Sequence, residues 1–359
     1  MAAAVLAFSS SARAGGPRSS IPGPRFLSVR GAGMADTLLP FADDGASALF
    51  YNPAAISSFR GTGGSLLDLT LEANNDFVSG FAPLDSYKVT SLSAYAPTLE
   101  SGQYPGVGYS LFPNFTMKGL ALGVLLQTRV AAKNEAGQVS YRSSYRLIPT
   151  IGTGVRLANG LFRIGYSLQF VNKAEGEITD VPITSSPLGY NQQLAQGSAV
   201  SHNVGATITL PISMLPTFTG VLRNVGGATY RDVTLLSFAR NTSGLPANEP
   251  MTLDVAFGLT PRVSGGSLAL GLQLKDAGNS SGFSIVKKSS FGMEYAVRES
   301  VAFRLGYGVG TGLDGIHAGF GFRGKRANLN FAWSTEEVGT PAASELERRW
   351  FMQYQLRVF

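Results

Sequence analysis

The sequence predicts an all-β protein, a transmembrane antiparallel up-and-down β-barrel. Three observations carry this: side chains alternate with a period of two, the second face is rich in glycine, and connections are alternately short and long. The alternation is clearest at residues 290–297, 301–307, 315–323 and 327–334. In the first of these segments, Phe291, Met293, Tyr295 and Val297 alternate with Ser290, Gly292, Glu294 and Ala296. In the second, Val301, Phe303, Leu305 and Tyr307 alternate with Ala302, Arg304 and Gly306. Successive side chains of a strand point to opposite faces, so this pattern means β-strands with one greasy face. A soluble sandwich would pack that face on a core and show Thr, Lys and Glu to water. Here the other face holds glycine with scattered Arg, Glu and His, which suits the wall of a filled barrel whose greasy face meets lipid. Residues 298–300 and 324–326 are short links, whereas 309–314 and 335–348 are longer. Short turns on one side and longer loops on the other are the habit of such barrels.

Composition narrows the alternatives. The chain has 359 residues, 44 of them glycine, no cysteine and 14% charged residues. No run approaches the roughly 20 apolar residues of a membrane helix, so any spanning must be done by strands. Without cysteine there is no disulfide, thiolate nucleophile or Cys-based zinc site. The net charge of +6 is spread along the chain, which gives no support to a nucleic-acid partner.

Taken in order, residues 1–14 read as a secretory signal peptide. An apolar stretch at 2–8 precedes Ala12, Arg13 and Ala14, a small-x-small cleavage pattern. The basic n-region usual before such a stretch is missing, which points to a truncated start. Residues 15–60 form a separate N-terminal piece that opens with a Gly/Pro/Ser-rich lead-in, and 61–359 form the barrel.

The N-terminal piece lacks the period of two. Asp43 or Asp44 is placed to cap a short helix, and Asn52 with Pro53 to stop it or begin another, proline being favoured at a first helical position. Ala42, Asp43, Ser47, Asn52, Pro53 and Ala54, behind a Gly-Ala-rich run, resemble the signature of the N-terminal hatch in the FadL/PorV superfamily of outer-membrane barrels. Fatty-acid transporters of that superfamily often have Gly-Met after Asn-Pro-Ala, where this chain has Ala55 and Ile56.

Candidate strands are 65–72, 89–96, 106–111, 120–130, 145–157, 161–171, 201–210, 217–223, 251–260, 267–275, the four segments above and 350–359. Single-chain bacterial barrels have an even number of strands, and the resemblance implies 14. The tight links at 158–160, 211–216, 261–266, 298–300 and 324–326 should be periplasmic turns. Residues 131–144, 172–200, 224–250, 276–289 and 335–348 should be outward loops, with Leu194 or Leu235 and Leu236 supplying an apolar lid. The terminal aromatic Phe359 resembles the mark by which the barrel assembly machinery takes up such proteins, although the alternation puts it on the non-greasy face.

Catalytic chemistry is sparse. Residues 310–315 match G-x-G-x-x-G but join two strands and open no helix, so a glycine-rich hairpin loop is the better reading. His202 on the greasy face and His317 on the lumen face have no carboxylate or cysteine at metal spacing, and no G-x-S-x-G accompanies them. Neither an enzyme nor a metal site or cofactor is expected. The lumen-face charges are Arg129, Arg156, Arg163, Asp254, Lys275, Glu294, Arg304, Arg323 and Arg357. Ionisable groups there are expensive unless paired, so Asp254 and Glu294 opposite arginines are expected to pin hatch to wall. Asp43 and Asp44 are expected to pair with wall arginines such as Arg304 or Arg323.

The resemblance implies a bacterial outer-membrane protein, surrounded by lipid, that takes up hydrophobic compounds such as long-chain fatty acids past a movable hatch. The alternative within the same superfamily is a PorV-like, non-transporting barrel that anchors or shuttles secreted proteins.

Overall fold

The computed structural model describes residues 26–79, 104–135, 138–182, 194–238, 242–277, 288–298, 300–310, 313–340 and 343–358. The signal-peptide segment, the lead-in as far as residue 25, the candidate strand 89–96 and Phe359 lie outside the described residues.

The chain forms a closed antiparallel barrel of 14 strands. The first half comprises β1 (Gly63–Asn74), β2 (Gly106–Leu111 and Asn114–Met117), β3 (Leu120–Glu135), β4 (Gln138–Leu157), β5 (Phe162–Pro182), β6 (Ala195–Thr209) and β7 (Thr217–Arg223). The second half comprises β8 (Thr252–Leu259 and Arg262–Val263), β9 (Gly266–Leu274), β10 (Ser289–Val297), β11 (Val301–Val309), β12 (Gly315–Arg323), β13 (Ala327–Thr340) and β14 (Ala343–Arg357). Neighbours in sequence are neighbours in space, and β14 returns to β1 with Tyr354 opposite Leu69. Closure removes both sheet edges, which is what lets strands lie in a medium that offers no hydrogen bonds.

The burial pattern is that of a protein turned inside out. Phe303 and Leu272 are each 55% exposed and Ile316 is 60% exposed, while Asp68, Glu294 and Arg304 are 3%, 4% and 2% exposed. Large apolar side chains thus point outward from every wall region and polar ones inward, the arrangement of a barrel in lipid. Among the described residues no helix is long and apolar enough to cross a membrane.

Three segments expected as loops are strand. Residues 131–135 with 138–144, and 335–340 with 343–348, are continuations of β3–β4 and β13–β14, paired as far as Glu135–Gln138 and Thr340–Ala343. Residues 172–182 and 195–200 likewise extend β5 and β6, with Val171 opposite Ala199. Beyond the apolar belt neither face needs to be greasy, so the alternation fades while the backbone ladder continues. The break in β2 at Phe112 and Pro113 also escaped the sequence pattern. Proline cannot donate to the ladder there, and the Pro113 carbonyl instead accepts from Val124 N at 3.1 Å.

Candidate ligand pathway through the lumen

The N-terminal segment lies inside the barrel as short pieces of helix. Helix α1 (Val29–Ala32) is capped by Ser28, whose hydroxyl accepts from Gly31 N at 2.9 Å. Helix α2 (Gly45–Phe50) is capped by Asp44, which accepts from Ser47 N at 2.7 Å in a capping box. A 3₁₀ turn at Leu39–Phe41 lies between them. Another, Pro53–Ser58, begins with Pro53 behind Asn52, whose side chain accepts from Ala54 N at 3.1 Å.

Glycines in the wall make room for these pieces. Gly154, Gly165 and Gly205 stand side by side on β4, β5 and β6. A Cβ on Gly154 would lie 2.6 Å from the Ser57 amide, and one on Gly165 would strike the Pro53 carbonyl. A second track, Gly258, Gly271, Gly292 and Gly306, crosses β8 to β11. There a Cβ on Gly292 would come 2.7 Å from the Met34 carbonyl oxygen. The hatch therefore packs directly on the wall backbone, through its own backbone at Gly154, Gly165, Gly292 and Gly306, a contact any larger residue would break.

Glu294 is the electrostatic centre of the contact. One of its carboxylate oxygens accepts from Arg30 Nε at 2.9 Å and Arg304 Nε at 2.7 Å. The other accepts from Arg30 Nη2 and Arg323 Nη2, both at 2.9 Å. Arg30 belongs to α1 and the other two to the wall. Arg30 also donates to Asp43 at 2.7 Å and to the Phe41 carbonyl at 3.1 Å. Burial lowers the Arg30 pKa, but Asp43 and Glu294 outweigh that and hold it above its ordinary value.

Glu294 and Asp254 thus lie opposite arginines as expected, whereas Asp43 and Asp44 do not take wall arginines as partners. The wall supplies the carboxylate and the hatch the arginine, while Asp43 pairs with Arg30 and Asp44 caps its own helix. Asp254 holds Arg223 at 2.6 Å. Arg223 in turn donates to the Phe50 and Tyr51 carbonyls at 2.7 and 3.2 Å, where α2 leaves carbonyls unsatisfied. Arg156 does the same for the Ser57 carbonyl, and Arg163 donates to Ser58 Oγ at 2.9 Å. Lys275 pairs with Asp36, which also accepts from Tyr51 Oη at 2.7 Å. Asn52 reaches the Leu39 carbonyl and Thr207 Oγ1, at 3.1 and 3.0 Å. Arg129 meets Glu72 far from this lock, Arg357 is exposed at the strand end, and His317 is fully buried on the lumen face. His202 is on the outer face, its Nδ1 2.6 Å from Tyr166 Oη.

Above the hatch the inner wall changes character. Leu125 stands opposite Ile148, and Val171 opposite Ala199. Ile148 and Val171 adjoin where the β4–β5 ladder is interrupted beside Pro149, between the Leu147–Asn172 and Thr150–Gln169 pairs. The result is an apolar row across four adjacent strands of the lumen wall. It belongs to one cluster with Leu49, Phe50 and Phe112 below it and Ala228 and Tyr230 above. Phe112 is turned inward by the break in β2 and stacks edge-on to Phe50 at 5.3 Å. Gly123 leaves the space it occupies. Tyr230 belongs to the connection between β7 and β8, which clasps the part of β6 that extends beyond the shorter β7. Arg231 pairs with Ser198 through the backbone, and the Leu236 carbonyl accepts from Asn172 and Gln196 at 2.9 and 3.1 Å. On the lumen side, Lys173 Nζ lies 4.7 Å from the Tyr230 ring centroid and 3.3 Å from Glu249.

No protein family and no curated protein matches the sequence. Solved structures do. CymD, described as a monoaromatic hydrocarbon channel, aligns over 91% of this chain and 96% of its own, at 11% identity and a TM-score of 0.52. A mutant of the monoaromatic hydrocarbon channel TodX aligns over 92% and 97%, at 13% identity and 0.53. The Pseudomonas putida toluene transporter TodX aligns over the same shares, at 11% and 0.51.

The chain has the fold of the FadL-like channels.

Several residues that build the lumen of this FadL-like barrel were invisible in the sequence. Arg30 sits in the Gly-Ala-rich run, where nothing separates it from a solvated arginine. Arg223 ends the candidate strand 217–223, and Lys173 falls in the expected loop 172–200. The apolar row was hidden for another reason: an inward Leu125 or Ile148 in strands with greasy outer faces only blurs the alternation. The signal available was that blurring itself, at 124–126 and 147–148, where apolar residues are consecutive.

Proposed function

We propose that this FadL-like barrel lets hydrophobic small molecules cross the outer membrane of a bacterium. The apolar row Leu125–Ile148–Val171–Ala199 carries the proposal. A channel for hydrated solutes gains nothing from apolar side chains in its lumen, whereas a greasy solute loses less on leaving its hydration shell if they line its way. The row ends on the hatch, so passage needs the hatch to shift. That the aligned channels are described as carrying monoaromatic hydrocarbons or toluene supports the same reading. Long-chain fatty acids and monoaromatic hydrocarbons are the two substrate classes to test.

The test is uptake of radiolabelled toluene and of radiolabelled oleate by cells whose own hydrophobic uptake channels are deleted. Expression of this chain should restore uptake of at least one. Ile148→Asp should lower that uptake at least tenfold while leaving the folded barrel intact by heat-modifiable gel mobility. Restored uptake that Ile148→Asp leaves unchanged, or no uptake of either probe by a correctly inserted barrel, would defeat the proposal. The second result would favour the anchoring of secreted proteins.

A further inference from the structure

The two rims of the barrel differ in charge. At the rim of the short turns, Arg60, Lys118, Arg262, Arg298, Lys325 and Arg326 are all exposed. Among the described residues the other rim is mixed, with Asp76, Asp232, Glu249, Asp276 and Asp314 beside Lys173, Arg231, Lys288, Arg348 and Arg349. Asp43 and Asp44 are near the short-turn opening, but they belong to the segment inside the lumen. The cations also have a sequence around the circumference. They run from the β8–β9 turn through β10–β11 and β12–β13, past the start of β1, to the β2–β3 turn.

The two remaining short turns, β4–β5 (158–160) and β6–β7 (210–216), carry no cation, and the second is mostly apolar. Ile212, Met214 and Leu215 of the β6–β7 turn are 58%, 53% and 38% exposed. They follow the exposed Ile208 and Leu210, so this turn runs on from the outward apolar surface. The rim is therefore one cationic arc and one apolar arc, both joined to the lipid-facing belt.

We infer that this rim seats the barrel in its leaflet by binding the anionic headgroups of glycerophospholipids, an inference that rests on the membrane reading above. Arginine and lysine at the belt's edge can lay their stems along acyl chains and hold their charges at phosphate depth. The apolar turn enters the same layer from the other side. An acidic protein would satisfy the cations but would leave the apolar arc, which is continuous with the belt, in lipid. The continuity favours the lipid.

The experiment uses the full chain in nanodiscs of equal parts phosphatidylcholine and phosphatidylglycerol, with retained lipids counted by native mass spectrometry. Each basic group near an anionic leaflet is worth roughly fivefold in preference. Wild type should enrich phosphatidylglycerol, and Arg262→Gln/Arg298→Gln/Lys325→Gln/Arg326→Gln should lose at least tenfold of that enrichment. Arg231→Gln/Arg348→Gln, exposed at the opposite rim, should keep it. Should the quadruple variant fail to fold, raising salt to about 0.5 M during reconstitution should suppress the wild-type enrichment instead, because exposed charges are screened. No enrichment by wild type, or enrichment indifferent to salt and to the quadruple change, overturns the inference. So does equal loss in the opposite-rim variant, which would mark a general charge effect. A chain that inserts into no bilayer of any composition would instead overturn the membrane reading.

Discussion

Arg30 and Glu294 lie 264 residues apart in sequence and meet through two parallel hydrogen bonds of 2.9 Å. This fork fastens the first helix in the lumen to the middle of the second half of the wall, with Arg304 and Arg323 sharing the same carboxylate. A planar guanidinium against a carboxylate fixes orientation as well as distance, so the pair sets how the hatch is turned as well as where it sits.

Removing the Glu294 charge should loosen the hatch strongly. Glu294→Gln leaves Arg30, Arg304 and Arg323 without their shared anion. Breaking a buried pair in this way costs about 3–5 kcal/mol. Ion conductance in planar bilayers should rise towards that of a chain lacking residues 29–56. Unchanged conductance in both would show that the segment does not close the lumen.

The glycine tracks make a sharper, purely steric prediction. Gly154→Ala sets a methyl 2.6 Å from the Ser57 amide, whereas a Cβ on Gly220 meets nothing within 4 Å. Overpacking should cost Gly154→Ala about 1–3 kcal/mol and expose a cysteine placed at Ala54 to a water-soluble thiol reagent. Gly220→Ala should be neutral. Equal labelling rates in the two backgrounds would mean the hatch does not rest on the track.

Lipid contact is tested one residue apart. Phe303 is 55% exposed on the outer face and Ala302 is fully buried on the inner. Phe303→Arg should cost about 2–4 kcal/mol if it lies at the bilayer midplane, and Ala302→Ser much less. Urea titration of the protein folded into vesicles measures both, and equal costs would reverse the assignment of faces.

The β7–β8 connection should open when its aromatic anchor is lost. Tyr230→Ala removes the ring that Lys173 lies over and the hydroxyl that donates to Glu249 at 2.9 Å. A cation–π contact is worth roughly 0.5–2 kcal/mol, so cleavage by external trypsin at Arg231 should speed up by about threefold or more. Tyr230→Phe keeps the ring and should be cut at nearly the wild-type rate. Cleavage at one rate in all three proteins would show that the connection is not held from inside.

What the chain states locally was legible without its structure. Alternation marks a strand wherever one face meets lipid and the other does not, because the two media sort side chains residue by residue. On that ground residues 301–307 and 315–323 could be read directly, and Asp44, Ser47, Asn52 and Pro53 show their capping chemistry within a few positions. Sequence alone therefore determined a lipid-facing barrel with a short helical piece before it. Only closure decided the rest. Arg30 finds Glu294, Arg223 finds the end of α2, and Leu125, Ile148, Val171 and Ala199 form one row because strand register brings distant positions to one height in the lumen. Register is a property of neighbouring strands and of the ring they complete, and no single stretch of sequence contains it. The same reason explains the long rims: where both faces of β3, β4, β13 and β14 are polar, pairing with a neighbour makes the strand, and the residues themselves do not announce it.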